Sequence, residues 1–285
     1  MTTTVPTMQY LGALPPIERR DLHFKFHSNA IWHPLGAHVS HLFNALSITF
    51  PAGEQFFVDS VRHYYQRILE EHPEMKDTVR GFIGQEAMHS REHEVYNKML
   101  ADEGYPIARM EQIVRAILEV SRCFPASNQL GVTAALEHFT AMLADMLLSD
   151  PEVLKDVDPE VAALWRWHAI EETEHKAVAY DVFQLVVPGK LRRYLLRVWT
   201  MLTSTFLLLI TTTAFHLVLL KKDRALTDWR GWWRFIKATW ITPGVLRRTI
   251  WPYLQYFRPG FHPWQHDNRH HVEHWKQVYG AAGKQ

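Results

Sequence analysis

A single cysteine, Cys123, stands among the 285 residues, which excludes an internal disulfide framework and any thiolate-based zinc or iron–sulfur site. So little cysteine fits a reducing compartment, and a cytoplasmic location is expected. The first 30 residues hold Arg19, Arg20 and Asp21 but no continuous apolar run, so no signal peptide is expected. No glycine-rich flavin or dinucleotide fingerprint is present, so a redox role would need an external electron donor. Strand-like alternation is nearly missing as well, which leaves helices to bury the core. With 47% hydrophobic and 21% charged residues, the chain is ordinary for a globular protein and long enough for one large domain or a domain with an appendage.

Histidine and tryptophan, by contrast, are abundant, at 18 and 11 residues, and both are clustered. The net charge of +1 conceals a division. Residues 190–248 carry 12 Lys/Arg against only Asp223 and Asp228, so the remainder is acidic. A basic segment suits an anionic surface, and an acidic one suits a carboxylate metal site.

Residues 1–50 are punctuated by proline and lack a sustained period, as in an N-terminal wrapping arm. Helical periodicity then predicts segments from Pro51 to about Glu71, 73–102, 108–122, about 127–148 and 159–186, bounded by proline, glycine and capping residues. Residues 51–189 thus have the plan of a four-helix bundle with connecting helices. Residues 190–285 form a basic, apolar and Trp-rich helical extension.

Two stretches of the bundle share one pattern, Glu86-Ala-Met-His89 and Glu172-Thr-Glu-His175. Residues three apart lie on one helix face, so each pair aims a carboxylate and an imidazole at one point. Two-metal carboxylate bundles combine two such helices with one glutamate from each of two others. Glu54 and Glu137 fill those single-glutamate places in the right chain order. Carboxylates bridge paired metal ions and imidazoles terminate them, a donor set suited to iron, with manganese as the alternative. On that scheme Glu86 and Glu172 are the bridging, catalytic carboxylates, Glu54 and Glu137 are terminal, and His89 and His175 supply the nitrogens. Glu54 also reads as a first-turn acid on the helix dipole, and Glu137 as a surface residue. The joint pattern outweighs these separate readings.

His168 and His93 extend the two stripes, as His168-x-x-x-Glu172-x-x-His175 and Glu86-x-x-His89-x-x-x-His93. Either extra histidine is a further ligand or a hydrogen-bond partner behind one. His63 and His138 read as packing or outer residues, and Asp145 and Asp181 as acceptors for ligand imidazoles.

From about residue 15 to its C-terminus the chain resembles a bacterial family described as predicted metal-dependent hydrolases, ferritin-like proteins with a di-metal carboxylate site. Its motif residues also resemble those of di-iron arylamine N-oxygenases, which carry an extra histidine ligand upstream of the second Glu-x-x-His. Carried across, this second resemblance makes His168 a metal ligand and the reaction an oxygen-dependent oxidation. The expected fold is therefore all-α, a ferritin-like four-helix bundle with a helical, Trp-rich C-terminal extension.

In that extension, Val198 to Leu220 contains no Asp, Glu, Lys or Arg. As a helix it would be about 34 Å long, enough for a bilayer core. It also contains six threonines, Ser204 and His216, as a helix buried on the bundle or in a homodimer interface would. Trp229, Trp232, Trp233, Ile236 and Trp240 fall on roughly one helical face among Arg230, Arg234 and Lys237, the pattern of an interfacial membrane anchor. Single-stranded nucleic acid would fit the same residues, but gives the apolar run no use. His262, His266, His270, His271 and His274 lack the ordered spacing of the bundle motif and read as a solvated or Trp-packed tail.

Function is expected to be a di-iron oxygenase or oxidase that uses O2 on a small apolar or aromatic substrate, at the inner face of an anionic membrane. The alternatives are a di-metal hydrolase using a metal-bridging hydroxide, and a non-catalytic metal store.

Overall fold

The computed structural model describes residues 17–27 and 29–274. Residues 1–16 of the expected arm, and Trp275, lie outside that range. Among the described residues the chain is all-α, with no strand. In order come α1 (Ala37–Arg62), the short α2 (Tyr65–Glu71), α3 (Lys76–Asp102), α4 (Ile107–Arg122), α5 (Ala126–Ser149), α6 (Pro159–His175) and α7 (Val178–Val186). Helix α1 packs on α3 and α5 on α6, and contacts of α1 with α5 and α3 with α6 close the four into a bundle. The termini follow local chemistry. Asp158 caps α6 by accepting from the backbone N–H groups of Glu160 and Val161, with Pro159 in the first turn. Gly104, at φ +80°, follows the end of α3 in a left-handed conformation that side chains avoid.

Two helix boundaries differ from expectation. Helix α1 starts at Ala37 and passes through Pro51, so the second part of the expected arm is helical. Proline removes the N–H that would bond the carbonyl four residues earlier, that of Ser47. Asn97 on α3 supplies the missing donor, with Nδ2 3.2 Å from the Ser47 oxygen. The helix expected over 159–186 breaks directly after His175. Lys176 turns out of the bundle there, donating to the His266 carbonyl and Asn268 Oδ1, both at 2.7 Å, with its ammonium over the Trp264 ring.

One apolar cluster includes Trp32, Tyr96, Leu164 and Trp167, and another includes Phe56, Phe82, Leu130 and Phe183. Residues 17–27 and 29–36 wrap over the bundle: the Phe24 N–H donates to Glu92, the Ala30 N–H to Glu103, and Gln85 Nε2 to the Glu18 carbonyl.

Helix α8 (Lys190–Lys222) lies against both α1 and α5. By length and composition it could cross a membrane, but 33% of its most apolar window is buried against the fold. Then come α9 (Trp229–Ile236), a π-helical turn over Lys237–Ile241, and α10 (Val245–Gln255). Helix α8 approaches α5 closely at Gly131, where a Cβ would lie 3.0 Å from Thr200 Cγ2 and 3.4 Å from the Phe183 ring. Gly53 on α1 has nothing within 4 Å of that position.

These two glycines give a paired expectation. Gly131→Val should overpack the α5–α8 contact and cost about 1–3 kcal/mol. Gly53→Ala should be neutral or stabilising by up to about 1 kcal/mol, because alanine is the better helix former. Thermal and urea unfolding of both variants would check this; equal destabilisation would contradict the close contact.

Candidate metal centre

Each of the four bundle helices delivers its expected side chains to one buried point. Glu54 comes from α1, Glu86 and His89 from α3, Glu137 from α5, and His168, Glu172 and His175 from α6. None of the seven is more than 4% exposed. His175 places Nε2 3.1 Å from Glu86 Oε1 and Nδ1 3.1 Å from Glu137 Oε2. His89 Nδ1 lies 3.8 Å from Glu172 Oε1 and 4.0 Å from Glu86 Oε1. His168 Nε2 lies 2.8 Å from Glu172 Oε1 and 3.9 Å from Glu54 Oε1. Among the described residues, two groups have donor atoms close enough to hold one ion each: Glu86, His89, Glu172 and His175, and Glu54, His93 and His168.

The fit to metal rests on buried polar atoms to which the protein gives no hydrogen bond, even where two of them, His175 Nε2 and Glu86 Oε1, approach to 3.1 Å. Both carboxylate oxygens of Glu54 and of Glu86, His89 Nδ1, Glu137 Oε1 and His175 Nε2 are buried without a hydrogen-bond partner. Each such atom costs about 1–3 kcal/mol if nothing else satisfies it. Seven such atoms gathered among four glutamates suit the binding of metal cations.

Without cations, the electrostatics are strained. Burial, and then repulsion from Glu172 and Glu137, hold the Glu54 carboxyl well above the usual range; burial and repulsion from Glu137 do the same to Glu86. Glu137 is pushed up to about 7 by burial and by Glu172. Burial would raise Glu172 too, but His175 and His168 beside it bring it below the ordinary value. Burial also opposes charge on His175, yet Glu137 and Glu172 outweigh it and lift the ring to about 9. Burial, with His168 and His175 close by, holds His89 well below the normal imidazole range.

A second layer orients these rings. Glu171 Oε2 accepts from His89 Nε2 at 3.0 Å, which turns the lone pair on Nδ1 towards the carboxylates. Glu171 Oε1 accepts from Trp167 Nε1 and Arg20 Nη1, both at 2.9 Å. Arg20 also forks onto both oxygens of Glu174, at 2.7 and 2.8 Å, so the arm reaches the site directly. His93, the other candidate, stands behind His168, its Nε2 2.6 Å from His168 Nδ1. Ser47 donates its hydroxyl hydrogen to Asn97 Oδ1, so its oxygen accepts from His93 Nδ1 at 2.8 Å. His93 Nε2 then accepts from His168 Nδ1–H. This leaves His168 Nε2 to donate to Glu172 as an imidazolium, or to offer a lone pair as a neutral ring.

Several second-layer residues escaped sequence reasoning. Thr140 Oγ1 holds Glu172 Oε2 at 2.5 Å, and its signal was its place three after Glu137. Glu171 and Glu174 surround Glu172 in sequence but face the other side of α6. Asp145 and Asp181 do not serve the ligand imidazoles. They accept from the C-terminal His266, at 3.1 Å, and His262, at 2.9 Å, because the tail folds back over α5 and α7. His138 packs on Tyr256 and Phe261 and bonds the Pro252 carbonyl, as expected of a packing residue, whereas His63 is exposed.

Two apolar cavities meet at the centre. One, of about 440 Å³, runs between α1, α4, α5 and α8 to Glu54, Thr140 and Glu172. The other, of about 620 Å³, lies under α8, α9 and α10 and reaches His168, Thr140 and Glu172. Phe50, Phe139, Leu143 and Leu208 line both.

The fold and site define an all-α bundle with buried carboxylate–imidazole groups able to hold metal ions. The chain belongs to the family described as "Predicted metal-dependent hydrolase", whose model matches residues 18–267. No curated protein and no solved structure matches it.

The raised carboxyls set a pH expectation for metal-free protein. Glu54 and Glu86 keep protons in the native state that the unfolded chain releases near ~4.3, so their contribution to stability falls as pH rises, whereas that of Glu137 is lost as pH rises through about 7. His175 acts in the same sense, its stabilisation being lost as pH rises through about 9. Lys176, pushed down to about 7 by burial, opposes them with at most one proton. The melting temperature of metal-free protein should therefore fall between pH 7 and 9. Divalent metal, which requires deprotonated ligands, should remove that fall. A flat metal-free profile across this window would contradict the charge arrangement.

Proposed function

We propose that this protein is a di-iron enzyme that uses dioxygen to oxidise a small apolar substrate. The observation that carries the proposal is the joining of an unpaired, carboxylate-rich donor shell to an apolar cavity at Glu172. Glu54, Glu86, Glu137 and Glu172 would hold the ions through carboxylate oxygens, and His89, His168 and His175 through ring nitrogens. When bound, the iron pair supplies the electrons and Lewis acidity that activate dioxygen, re-reduced by an external donor. The chain's residues do the rest. Glu171 fixes the His89 tautomer, and Thr140 holds one oxygen of Glu172. The Ser47–His93–His168 relay orients the third imidazole, and Phe50, Phe139 and Leu143 exclude water beside the ligands.

Metal-dependent hydrolysis is the second reading, favoured by the family's description. A hydrolytic site needs water and a scissile ester, amide or phosphoester bond at the metals, and the cavities would admit such a bond only on an otherwise apolar substrate.

Protein produced with iron should bind close to two metal ions per chain, and Glu86→Ala or His168→Gln should lower that number. Anaerobic loading with Fe(II) followed by oxygen should give a transient visible absorption band and consume O2. Oxygen-independent ester or phosphoester hydrolysis by the zinc-loaded protein, with no O2 uptake by the iron form, would replace oxidation with hydrolysis. Equal, near-zero metal content in wild type and Glu86→Ala would remove both.

A further inference from the structure

Helix α8 turns an apolar stripe outward. Leu191, Leu195, Trp199, Leu202, Phe206 and Leu209 recur at intervals of three or four along it, each at least half exposed. The buried face is mixed, with Arg197, Thr200, Ser204, Thr211, Thr212 and His216 beside Met201, Phe215, Leu219 and Leu220. A helix that meets water shows the opposite arrangement. Much of the inward polar set is satisfied within the protein. Arg197 donates to the Arg258 carbonyl at 2.9 Å, His216 Nε2 to the His38 carbonyl at 2.8 Å, and Thr200 to the Leu196 carbonyl. The exposed stripe is therefore not a by-product of a poorly packed helix.

The elements beside α8 extend this surface. Trp229, Trp233 and Trp240 are roughly half exposed or more, as are Trp251 and Leu254 of α10. Trp232 departs from the expected face and packs on His38 at 4.6 Å between ring centres, which anchors α9 to the bundle. Thr205 of α8 and Tyr253 of α10 are hydrogen-bonded at 3.1 Å, so the two helices adjoin. Exposed cations border the region: Lys190 and Arg192 at one end of α8, Lys221, Lys222 and Arg224 at the other, and Arg230, Lys237 and Arg247 beyond.

Both cavities open on this face. Trp199 and Leu207 line the first and are exposed, as are Val120 and Phe124 across its mouth from α8. Leu209, Leu217, Trp240 and Ile250 line the second and are also exposed. The rim of each entrance is therefore apolar, and each leads to Glu172.

We propose that the outer face of α8, α9 and α10 docks on an anionic membrane leaflet, and that the cavities take a slender lipid-derived chain, such as a fatty acyl group, from it. Charge decides for lipid over a second copy of this chain. Both ends of α8 are basic, so parallel or antiparallel self-pairing sets cation against cation, whereas anionic headgroups complement them. Nucleic acid would match the cations but leave the Leu and Phe stripe in water. Because α1 and α5 cover its inner face, α8 lies along the leaflet as an interfacial helix. The cavity volumes fall in the ~300–1,000 Å³ range typical of small-molecule sites. The assignment of the chain as substrate rests on the oxidative reading of the metal centre; the docking surface does not.

Flotation of full-length protein with neutral phosphatidylcholine vesicles and with vesicles containing phosphatidylglycerol tests the surface. Binding should favour anionic vesicles and weaken with salt. Leu195→Glu/Leu202→Glu/Phe206→Glu, at exposed positions away from both cavities, should lose at least tenfold in binding, with metal content and melting temperature unchanged. The proposal is overturned if wild type floats with neither vesicle, if it forms a stable dimer that this variant dissolves, or if single-stranded DNA outcompetes vesicles. Binding of a fluorescent fatty acid, followed on metal-free protein, tests the cavities. Leu208→Trp, at a position lining both, should weaken it at least tenfold without changing flotation; unchanged fatty-acid affinity would overturn the lipid-chain assignment. Protein that floats but binds no metal would retain the docking surface and lose the oxidative reading, and protein that binds metal but never floats would do the reverse.

Discussion

Four carboxylates and three imidazoles share a volume from which water is excluded, and everything else in the structure answers to their mutual repulsion. Charges at such separations in a low-dielectric interior interact far more strongly than at the surface. The metal-free chain relieves the strain by holding protons on Glu54 and Glu86 and by charging His175 against Glu137 and Glu172. Cations would relieve it without protons, so the same buried atoms are suited to hold metal ions. Folding and metal binding are therefore linked through one set of side chains.

Rigidity comes from the layer behind. Arg20, from the arm, neutralises Glu171 and Glu174 on the far side of α6, so a segment with little regular structure supports the charge balance of the core. Apolar clusters above and below keep the four helices at fixed spacing. Helix α8 adds a further wall and does not contribute a ligand. Thr200, Thr203 and Thr211 face the first cavity, while Leu191, Leu195 and Leu202 face outward.

The paired Glu-x-x-His motifs were legible because helical periodicity turns a spacing of three into a shared direction, and Glu54 and Glu137 because helix order leaves them the two vacant places. The all-α class followed from the same periodicity. Spacing does not distinguish His168 from His93, since both are one turn beyond a Glu-x-x-His pair; in the structure the His168 ring faces Glu172 and His93 stands behind it, a matter of packing between α3 and α6. Arg20, Ser47 and Asn97 were invisible for another reason: their partners are between 46 and 154 residues away in sequence. The start of α1 was misplaced because proline ordinarily marks a first turn, and only a donor from another helix permits it inside. Asp145 and Asp181 were assigned to the wrong histidines because nothing local reveals that the tail folds back.

That internal proline has a consequence beyond helix geometry. By withholding its N–H, Pro51 frees the Ser47 carbonyl for the Asn97 amide, whose oxygen in turn accepts the Ser47 hydroxyl hydrogen. Ser47 and Asn97 are thereby locked into a two-point ring, and the serine oxygen is left with acceptor capacity only. His93 must meet it with a protonated Nδ1, and the requirement passes through His93 to His168. A backbone defect on α1 thus sets the direction of a proton chain on α3 and α6, so that a covalent property of one residue is read out as the tautomer of an imidazole two helices away.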